Sequence, residues 1–123
     1  LLSRRDNTGW KDGWYTLPSG HLESHESLIA AMEREAKEEI GLDLILTEID
    51  MVHIQHRHSD INYIDVFFSV KNFSGEVKNG EPKKCSELRW VSPDKLPDKV
   101  VENLVEVLSL VKDGRQFSEY GWK

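Results

Sequence analysis

An amphipathic segment from His25 to Ile40 limits the folds open to this chain more than any other part of the sequence. Apolar side chains recur every four residues from Leu28 onward, a spacing that places them on one stripe of an α-helix. Gly41 follows where a left-handed residue commonly ends a helix, and Leu42 supplies the apolar contact that accompanies such an end. The sequence therefore predicts a helix that packs one face on a core and ends at Ile40.

Glycine, proline and asparagine divide the rest of the chain into short strands and a second helix. Strands are predicted at residues 1–5, 14–17, 42–46, 51–55, 63–70 and 87–91, a polar loop at 73–82, and a helix at 98–112. Two helices separated by several strands predict a sheet covered by helices, in a single domain over residues 1–123. Because the sequence opens at Leu1 in a strand-like run without a methionine, we also expect an N-terminal strand to be missing from it.

Composition excludes several classes of protein. Twenty-two acidic against sixteen basic residues give a net charge of -6, which argues against an extended groove for DNA or RNA. The longest apolar run, Leu28 to Met32, is too short to cross a membrane, so no membrane association is expected. Cys85 is the one cysteine, which excludes an internal disulfide and a cysteine-based zinc site and is typical of a cytoplasmic protein.

The predicted first helix carries an unusual concentration of negative charge. From Glu26 to Glu39 there are five glutamates and two bases, a local charge of -3. Glu35, Glu38 and Glu39 are spaced so that their Cβ atoms lie about 5–6 Å apart beside the apolar stripe. Their charges repel one another, and the last turn of a helix disfavours anions. A hard divalent cation bound by these oxygens would remove both penalties, whereas the alternative is a solvated acidic surface.

The same residues form the signature of a known family. The match comprises Gly20, Glu26, Arg34-Glu35-Ala36, Glu38-Glu39 and Gly41-Leu42, which are the fixed positions of the 23-residue Nudix box. On this motif the chain resembles the Nudix (MutT-like) hydrolases. The resemblance implies an α+β fold, an α/β/α sandwich with a mixed β-sheet. It also implies hydrolysis of a nucleoside diphosphate linked to another group, X, with Mg²⁺ or Mn²⁺ as cofactor.

The resemblance implies which oxygens bind the metal. Glu38 and Glu39 are the expected ligands, joined by the backbone carbonyl of Gly20, with Glu26 as an outer ligand. In relatives a further acid from outside the box often completes the metal shell. Glu81, in a turn after Asn79-Gly80, is the candidate here, and a solvated turn residue is the alternative.

The resemblance also assigns the catalytic side chains. Glu35, Glu38 and Arg34 are expected to take part in catalysis. Glu35 would either bind metal or act as the base that activates the attacking water, and these two roles stay open. Arg34 is expected to orient the carboxylates rather than contact the substrate.

The box does not encode the substrate. A Gly80-Glu81-Pro82 stretch ahead of Leu88-Arg89-Trp90 is similar to relatives that act on nucleoside triphosphates, which favours an NTP or dNTP pyrophosphatase. ADP-ribose, a nucleotide sugar, a dinucleoside polyphosphate and a capped RNA are alternative substrates. A non-catalytic nucleotide sensor is an alternative of another class, although sensors commonly lose glutamates that are all present here. The expected partner is a nucleotide-type small molecule, and whether the chain forms a homodimer is left open.

Residues outside the box supply candidates for substrate binding. Arg4, Arg5 and Lys83 are candidate phosphate contacts, with ordinary surface charge as the alternative. Trp14 could stack on a base or pack in the core. Asp65 lies on a strand face beside aromatic residues, where it would either read a ligand or face solvent. Nearby histidines lack a fourth ligand, so no zinc site is expected.

Overall fold

Strands alternate with two helices in the computed structural model, which describes residues 1–122. The elements in chain order are β1 (Leu2–Arg5), β2 (Tyr15–Thr16), α1 (Leu28–Ile40), β3 (Asp43–Leu44), β4 (Ile49–His58), β5 (Asn62–Val70), β6 (Phe73–Ser74), β7 (Cys85–Arg89), α2 (Glu102–Lys112) and β8 (Phe117–Tyr120). A single turn of 3₁₀-helix at Leu46–Glu48 precedes β4.

Helix α1 begins and ends where its local chemistry requires. Ser27 caps the N-terminus, because its Oγ accepts a hydrogen bond from the amide of Ala30 at 3.1 Å. Gly41 ends the helix with a φ of 74°, and its amide donates to the carbonyl of Lys37. Leu42, which is 2% exposed, packs beneath this turn as the sequence predicts.

A three-stranded antiparallel sheet, in the order β2-β1-β7, lies between the two helices. Because side chains alternate along a strand, Leu2 points to one face and its neighbours point to the other. Leu2 packs with Tyr15, Val101 and Leu104, at the start of α2. On the opposite side Leu88 packs against the cluster formed by Ala36, Ile40 and Leu42 around the end of α1. This arrangement is the predicted α/β/α sandwich.

The predicted mixed sheet has the order β5-β4-β8. Strands β4 and β5 form a long antiparallel hairpin, and β8 pairs with β4 in parallel. The amide of Asn103 in α2 donates to Gln55 Oε1 at 3.1 Å, and Gln55 is fully buried. Helix α2 therefore covers this sheet as well as the first.

Several predicted boundaries are wrong, and β8 was not predicted. Helix α1 begins at Leu28 rather than His25, since Ser27 caps it, and α2 begins at Glu102 rather than 98. The loop at 73–82 contains β6, which pairs with β3. Strand β4 is ten residues long because its partner continues alongside it to both ends. No helix in residues 1–122 combines the length and hydropathy needed to cross a membrane.

Candidate active site

Arg34 joins most of the acidic side chains around α1. Its Nε donates to Glu26 at 2.7 Å, and its Nη1 donates to Glu35 at 2.8 Å and to Glu38 at 3.2 Å. The hydrogen bond from Arg34 holds the pKa of Glu26 below its usual range, and the same contact raises the pKa of Arg34. Arg34 therefore bonds to three of the carboxylates and balances part of their charge.

Glu39 lies apart from this arginine and carries the electrostatic strain. Burial, followed by the charges of Glu35 and Glu81, raises its pKa to about 8. The amide of Ser19 donates to Glu39 Oε2 at 2.9 Å and offsets part of this effect. Without a cation the charged form of Glu39 is disfavoured, first because its carboxylate is removed from water and then because two other carboxylates lie nearby.

The loop after β6 brings Glu81 to the end of α1. The amides of Lys78 and Gly80 donate to the last carbonyls of the helix, those of Ile40 and Glu39, both at 2.9 Å. A Cβ on Gly80 would stand 1.9 Å from the carbonyl oxygen of Glu38, so only glycine permits this approach. The loop thus places an exposed Glu81 close enough to Glu39 to raise its pKa.

Gly20 lies against the carboxylate of Glu35. A Cβ at this position would stand 1.9 Å from Glu35 Oε1, so a larger residue would displace that side chain. The missing side chain leaves the backbone of the Ser19-Gly20 turn beside both Glu35 and Glu39. The first residue of the box and its carboxylates are therefore neighbours in space.

We use the term acidic cluster for Glu26, Glu35, Glu38, Glu39 and Glu81. Carboxylate oxygens and a nearby backbone carbonyl are the ligands that Mg²⁺ and Mn²⁺ prefer, so the donor chemistry fits such an ion. Within residues 1–122 no three acidic, histidine or cysteine side chains already surround one point as metal ligands would. Three of the five carboxylates are instead hydrogen-bonded to Arg34. The ligand atoms are of the type that a hard cation prefers. To bind it, the carboxylates that contact Arg34 would have to leave its guanidinium.

A cavity of about 670 Å³ extends from Glu39 and Glu81, the two members of the acidic cluster that line it, to the β4–β5 hairpin. Its lining includes five of the predicted site residues, namely Arg5, Gly20, Glu39, Asp65 and Glu81. Ser3 and Thr16, which pair with each other, line it too, because alternate residues of β1 and β2 face the α1 side of the first sheet. Lys84, just before β7, also lines the cavity. The volume is within the range that holds a drug-sized or cofactor-sized ligand.

Three predicted substrate contacts lie outside this cavity. Arg4 alternates with Arg5 along β1 and so faces the other side, 3.9 Å from Glu87. Trp14 packs on the core around Leu2, and its ring lies 4.4 Å from Lys11 Nζ. Lys83 is exposed in the turn before β7 and does not line the cavity. For Arg4 and Trp14 the structure favours the alternative roles of surface charge and core packing.

The far end of the cavity holds a residue that the sequence analysis missed. Arg57 donates from Nε to Asp65 Oδ2 at 2.6 Å and from Nη2 to Asp65 Oδ1 at 3.2 Å. Its guanidinium carbon lies 4.2 Å from the centre of the Tyr63 ring, and all three residues line the cavity. The available signal was the short turn at 59–61, which sets Arg57 opposite Tyr63 and diagonal to Asp65.

The clustered histidines have structural partners. His53 is buried, with its ring nitrogens 2.9 Å from the carbonyl of Arg115 and 2.8 Å from Ser118 Oγ. His56 and His58 lie against the ring of Trp122, whose indole nitrogen donates to the carbonyl of His56. The three histidines therefore pack β8 and the residues next to it in the chain against β4.

Comparisons with known proteins agree with this geometry. The NUDIX domain model matches residues 1–111. The nucleoside triphosphatase NudI of Escherichia coli O139:H28 (strain E24377A / ETEC) is 30% identical, over 78% of this chain and 74% of that protein. The MutT NUDIX hydrolase from Burkholderia pseudomallei superimposes with a TM-score of 0.79 at 23% identity, covering 88% of this chain and 84% of its own. The MutT protein from Methanosarcina mazei Go1 gives 0.78 at 22% identity, covering 91% and 81%.

The family match covers nearly the whole chain and includes the box, the strands around it and most of α2. The similarity to the solved structures supports the same fold independently. The chain therefore belongs to the Nudix (MutT-like) family and is a Nudix hydrolase, as the residues of the box indicate.

Proposed function

We propose that this Nudix hydrolase cleaves a nucleoside or deoxynucleoside triphosphate between its α- and β-phosphates, with Mg²⁺ or Mn²⁺ as cofactor. Water is added across the anhydride, and the products are a nucleoside monophosphate and pyrophosphate. The observation that carries the proposal is the acidic cluster at one end of a nucleotide-sized cavity. A relative named as a nucleoside triphosphatase supports this class of substrate.

The charges explain why a cation is needed. A triphosphate is strongly anionic, and Glu39 and Glu81 line the same cavity as negatively charged or ionisable groups. Without a cation the triphosphate and these carboxylates would repel each other. Burial, followed by the charges of Glu35 and Glu81, already raises the pKa of Glu39. A bound divalent ion supplies positive charge that polarises the phosphoryl oxygens and lowers the pKa of a water ligand.

The side chains of the box have separate tasks in this proposal. Glu38, Glu39 and the carbonyl of Gly20 would hold the metal, with Glu26 and Glu81 as outer contributors. Glu35 would hold metal or accept the proton of the attacking water. Its contact with Gly20 fixes where its carboxylate can lie.

Arg34 acts as a positioning residue. Its guanidinium bonds to Glu26, Glu35 and Glu38, and so keeps the carboxylates on the same side of α1 before a cation arrives. Since Glu38 is half-exposed and its bond to Arg34 is the longest of the three, we expect Glu38 to exchange partners first. With Cys85 as its one thiol, the chain suits a reducing cytoplasm, which we propose as its compartment.

A substrate panel with Mg²⁺ tests the proposal. Each of the common NTPs and dNTPs, ADP-ribose, a nucleotide sugar and a dinucleoside polyphosphate is incubated with the enzyme, and release of phosphate and pyrophosphate is followed. We expect pyrophosphate from triphosphates, loss of this activity in Glu35→Gln and Glu38→Gln, and retention in Glu33→Gln, which alters an exposed residue of the same helix. Cleavage of ADP-ribose alone would contradict the proposed triphosphate substrate. Wild-type rates in Glu35→Gln and Glu38→Gln would refute the catalytic assignment.

A further inference from the structure

Arg57 is held rigidly at the end of the cavity away from the acidic cluster. Two hydrogen bonds join its Nε and Nη2 to the carboxylate of Asp65, and the Tyr63 ring supports the face of the guanidinium. The hydroxyl of Tyr63 in turn donates to Asp60 at 3.0 Å. An arginine fixed from its side and its face has lost its conformational freedom before any ligand arrives.

This arrangement leaves part of the guanidinium unused. Arginine has five N–H donors, and Asp65 takes two of them. In residues 1–122 Nη1 makes no hydrogen bond, while every fully buried side-chain nitrogen and oxygen there has a partner. Nη1 is therefore accessible, and Arg57 lines the cavity. Nη1 and the second hydrogen of Nη2 form an end-on fork of two parallel donors.

Charge and geometry limit what this fork can bind. Asp65 neutralises the guanidinium, so the pair as a whole attracts a phosphate weakly and suits a neutral ligand. A parallel fork needs two neighbouring acceptors in one plane. Guanine offers O6 and N7, and cytosine offers N3 and O2. Adenine has its one amino group beside both N1 and N7 and no second acceptor beside N3, and uracil separates its two carbonyls with an N–H.

We infer that Arg57, held by Asp65 and Tyr63, is a specificity-determining residue that binds the base of a guanine or cytosine nucleotide and disfavours adenine and uracil. The inference rests on the proposed function, since it places the phosphates at the acidic cluster and the base at the β4–β5 hairpin. It adds the class of base that the substrate carries.

Binding of nucleoside monophosphates tests this inference without requiring hydrolysis. GMP, CMP, AMP and UMP are titrated calorimetrically into the wild-type protein with Mg²⁺. GMP, CMP or both should bind about tenfold more tightly than AMP and UMP, as a bidentate base contact provides. Arg57→Lys, which keeps the charge and removes the fork, should reduce this preference to within about twofold. Arg89→Lys, an exposed arginine outside the cavity, is the matched control and should retain it.

Ligand variants separate the two bases and do not depend on the folding of a mutant. If GMP is preferred, 7-deaza-GMP should lose about the same factor as Arg57→Lys causes, because it lacks the N7 acceptor. Preference for CMP alone would assign cytosine. Three results would overturn the inference. They are AMP or UMP binding as tightly as GMP and CMP, an equal weakening of all four nucleotides by Arg57→Lys, and no binding of any nucleotide. A retained base preference with no cleavage of any triphosphate would instead refute the proposed function.

Discussion

The two ends of the cavity contain charged residues in opposite arrangements. In the acidic cluster, burial together with the charges of Glu35 and Glu81 raises the pKa of Glu39 to about 8. In the hairpin, Arg57 and Asp65 lie 2.6 Å apart and satisfy each other. Because like charges repel, a bound cation would stabilise the first arrangement, whereas the charges of the second balance each other and, as we propose, leave it able to recognise a neutral group.

Removing one charge from the acidic cluster should have the largest effect. Glu38→Gln keeps the shape of the side chain and removes a metal ligand, so we expect kcat with Mg²⁺ to fall by about 10²–10³-fold, a typical loss for a group that stabilises transition-state charge. Steady-state pyrophosphate release measures it. The matched Glu33→Gln should stay within about twofold of the wild type because Glu33 is exposed and lies outside the acidic cluster. Similar losses in both variants would mean that the helix charge as a whole, and not the cluster, matters.

Two glycines test whether the acidic cluster is built by side chains or by backbone. Gly20→Ala meets the mobile end of Glu35, so we expect about tenfold lower kcat/KM with a free energy of unfolding within about 1 kcal/mol of the wild type. Gly80→Ala meets the backbone of α1 and should lose about 2 kcal/mol or more of stability. Urea denaturation and kinetics on both variants separate the two effects. Equal destabilisation by both substitutions would contradict this distinction.

The neighbouring arginines of β1 test which face of the first sheet binds phosphate. Arg5 lines the cavity and donates to the carbonyl of Trp10 at 2.7 Å, so Arg5→Ala should lower kcat/KM about tenfold. Arg4 lies on the opposite face, and Arg4→Ala should change kcat/KM less than twofold, since an exposed ion pair contributes only about 0–1 kcal/mol. A larger loss in Arg4→Ala than in Arg5→Ala would reverse the assignment of faces.

Removing a negative charge should change stability in opposite directions at the two ends. Without metal, the carboxyl of Glu39 titrates with a pKa of about 8 in the folded protein, against 4.5 when unperturbed. The folded state therefore binds the proton more tightly between these values, and the free energy of unfolding falls as the pH rises from about 5 to 8. Glu39→Gln should remove this fall and stabilise the metal-free protein at pH 8 by about 1–2 kcal/mol.

Asp65→Asn is the contrasting change at the hairpin. It removes the charge that balances Arg57 and one of the two acceptor oxygens, and we expect about 1–2 kcal/mol of destabilisation, reduced from the fully buried case because both side chains are partly exposed. Urea denaturation in EDTA at pH 6 and pH 8 measures the free energy of unfolding of Glu39→Gln and Asp65→Asn. Two effects of the same sign at pH 8 would show that the two charge arrangements are not distinct.

The parts of this fold that were predictable from sequence are those fixed by neighbours along the chain. The four-residue apolar spacing and Gly41 gave the end of α1, and the box placed Glu35, Glu38 and Glu39 near that end. Strand β8 was missed because its partner, β4, lies about sixty residues earlier, so the sequence near Phe117 does not indicate the pairing. The parallel pairing with β4 depends on packing that becomes visible only in three dimensions.

The candidate site shows the same limit. The sequence could place Glu81 in a turn, yet only the hydrogen bonds of Lys78 and Gly80 to the end of α1 bring it near Glu39. Arg57 carries no motif, and its relation to Asp65 follows from the hairpin register. Arg4 and Arg5 are equivalent as sequence, and the direction of alternation in β1 decides between them.

The central claim is that the acidic cluster binds a divalent cation, and calorimetric titration with Mn²⁺ and Mg²⁺ at pH 7 tests it most directly. We predict uptake by the wild-type protein, accompanied by proton release as Glu39 ionises, and binding at least about tenfold weaker in Glu38→Gln. Proton release is measured by repeating the titration in buffers of different ionisation enthalpy. No uptake of either ion, with or without a nucleotide, would contradict the account.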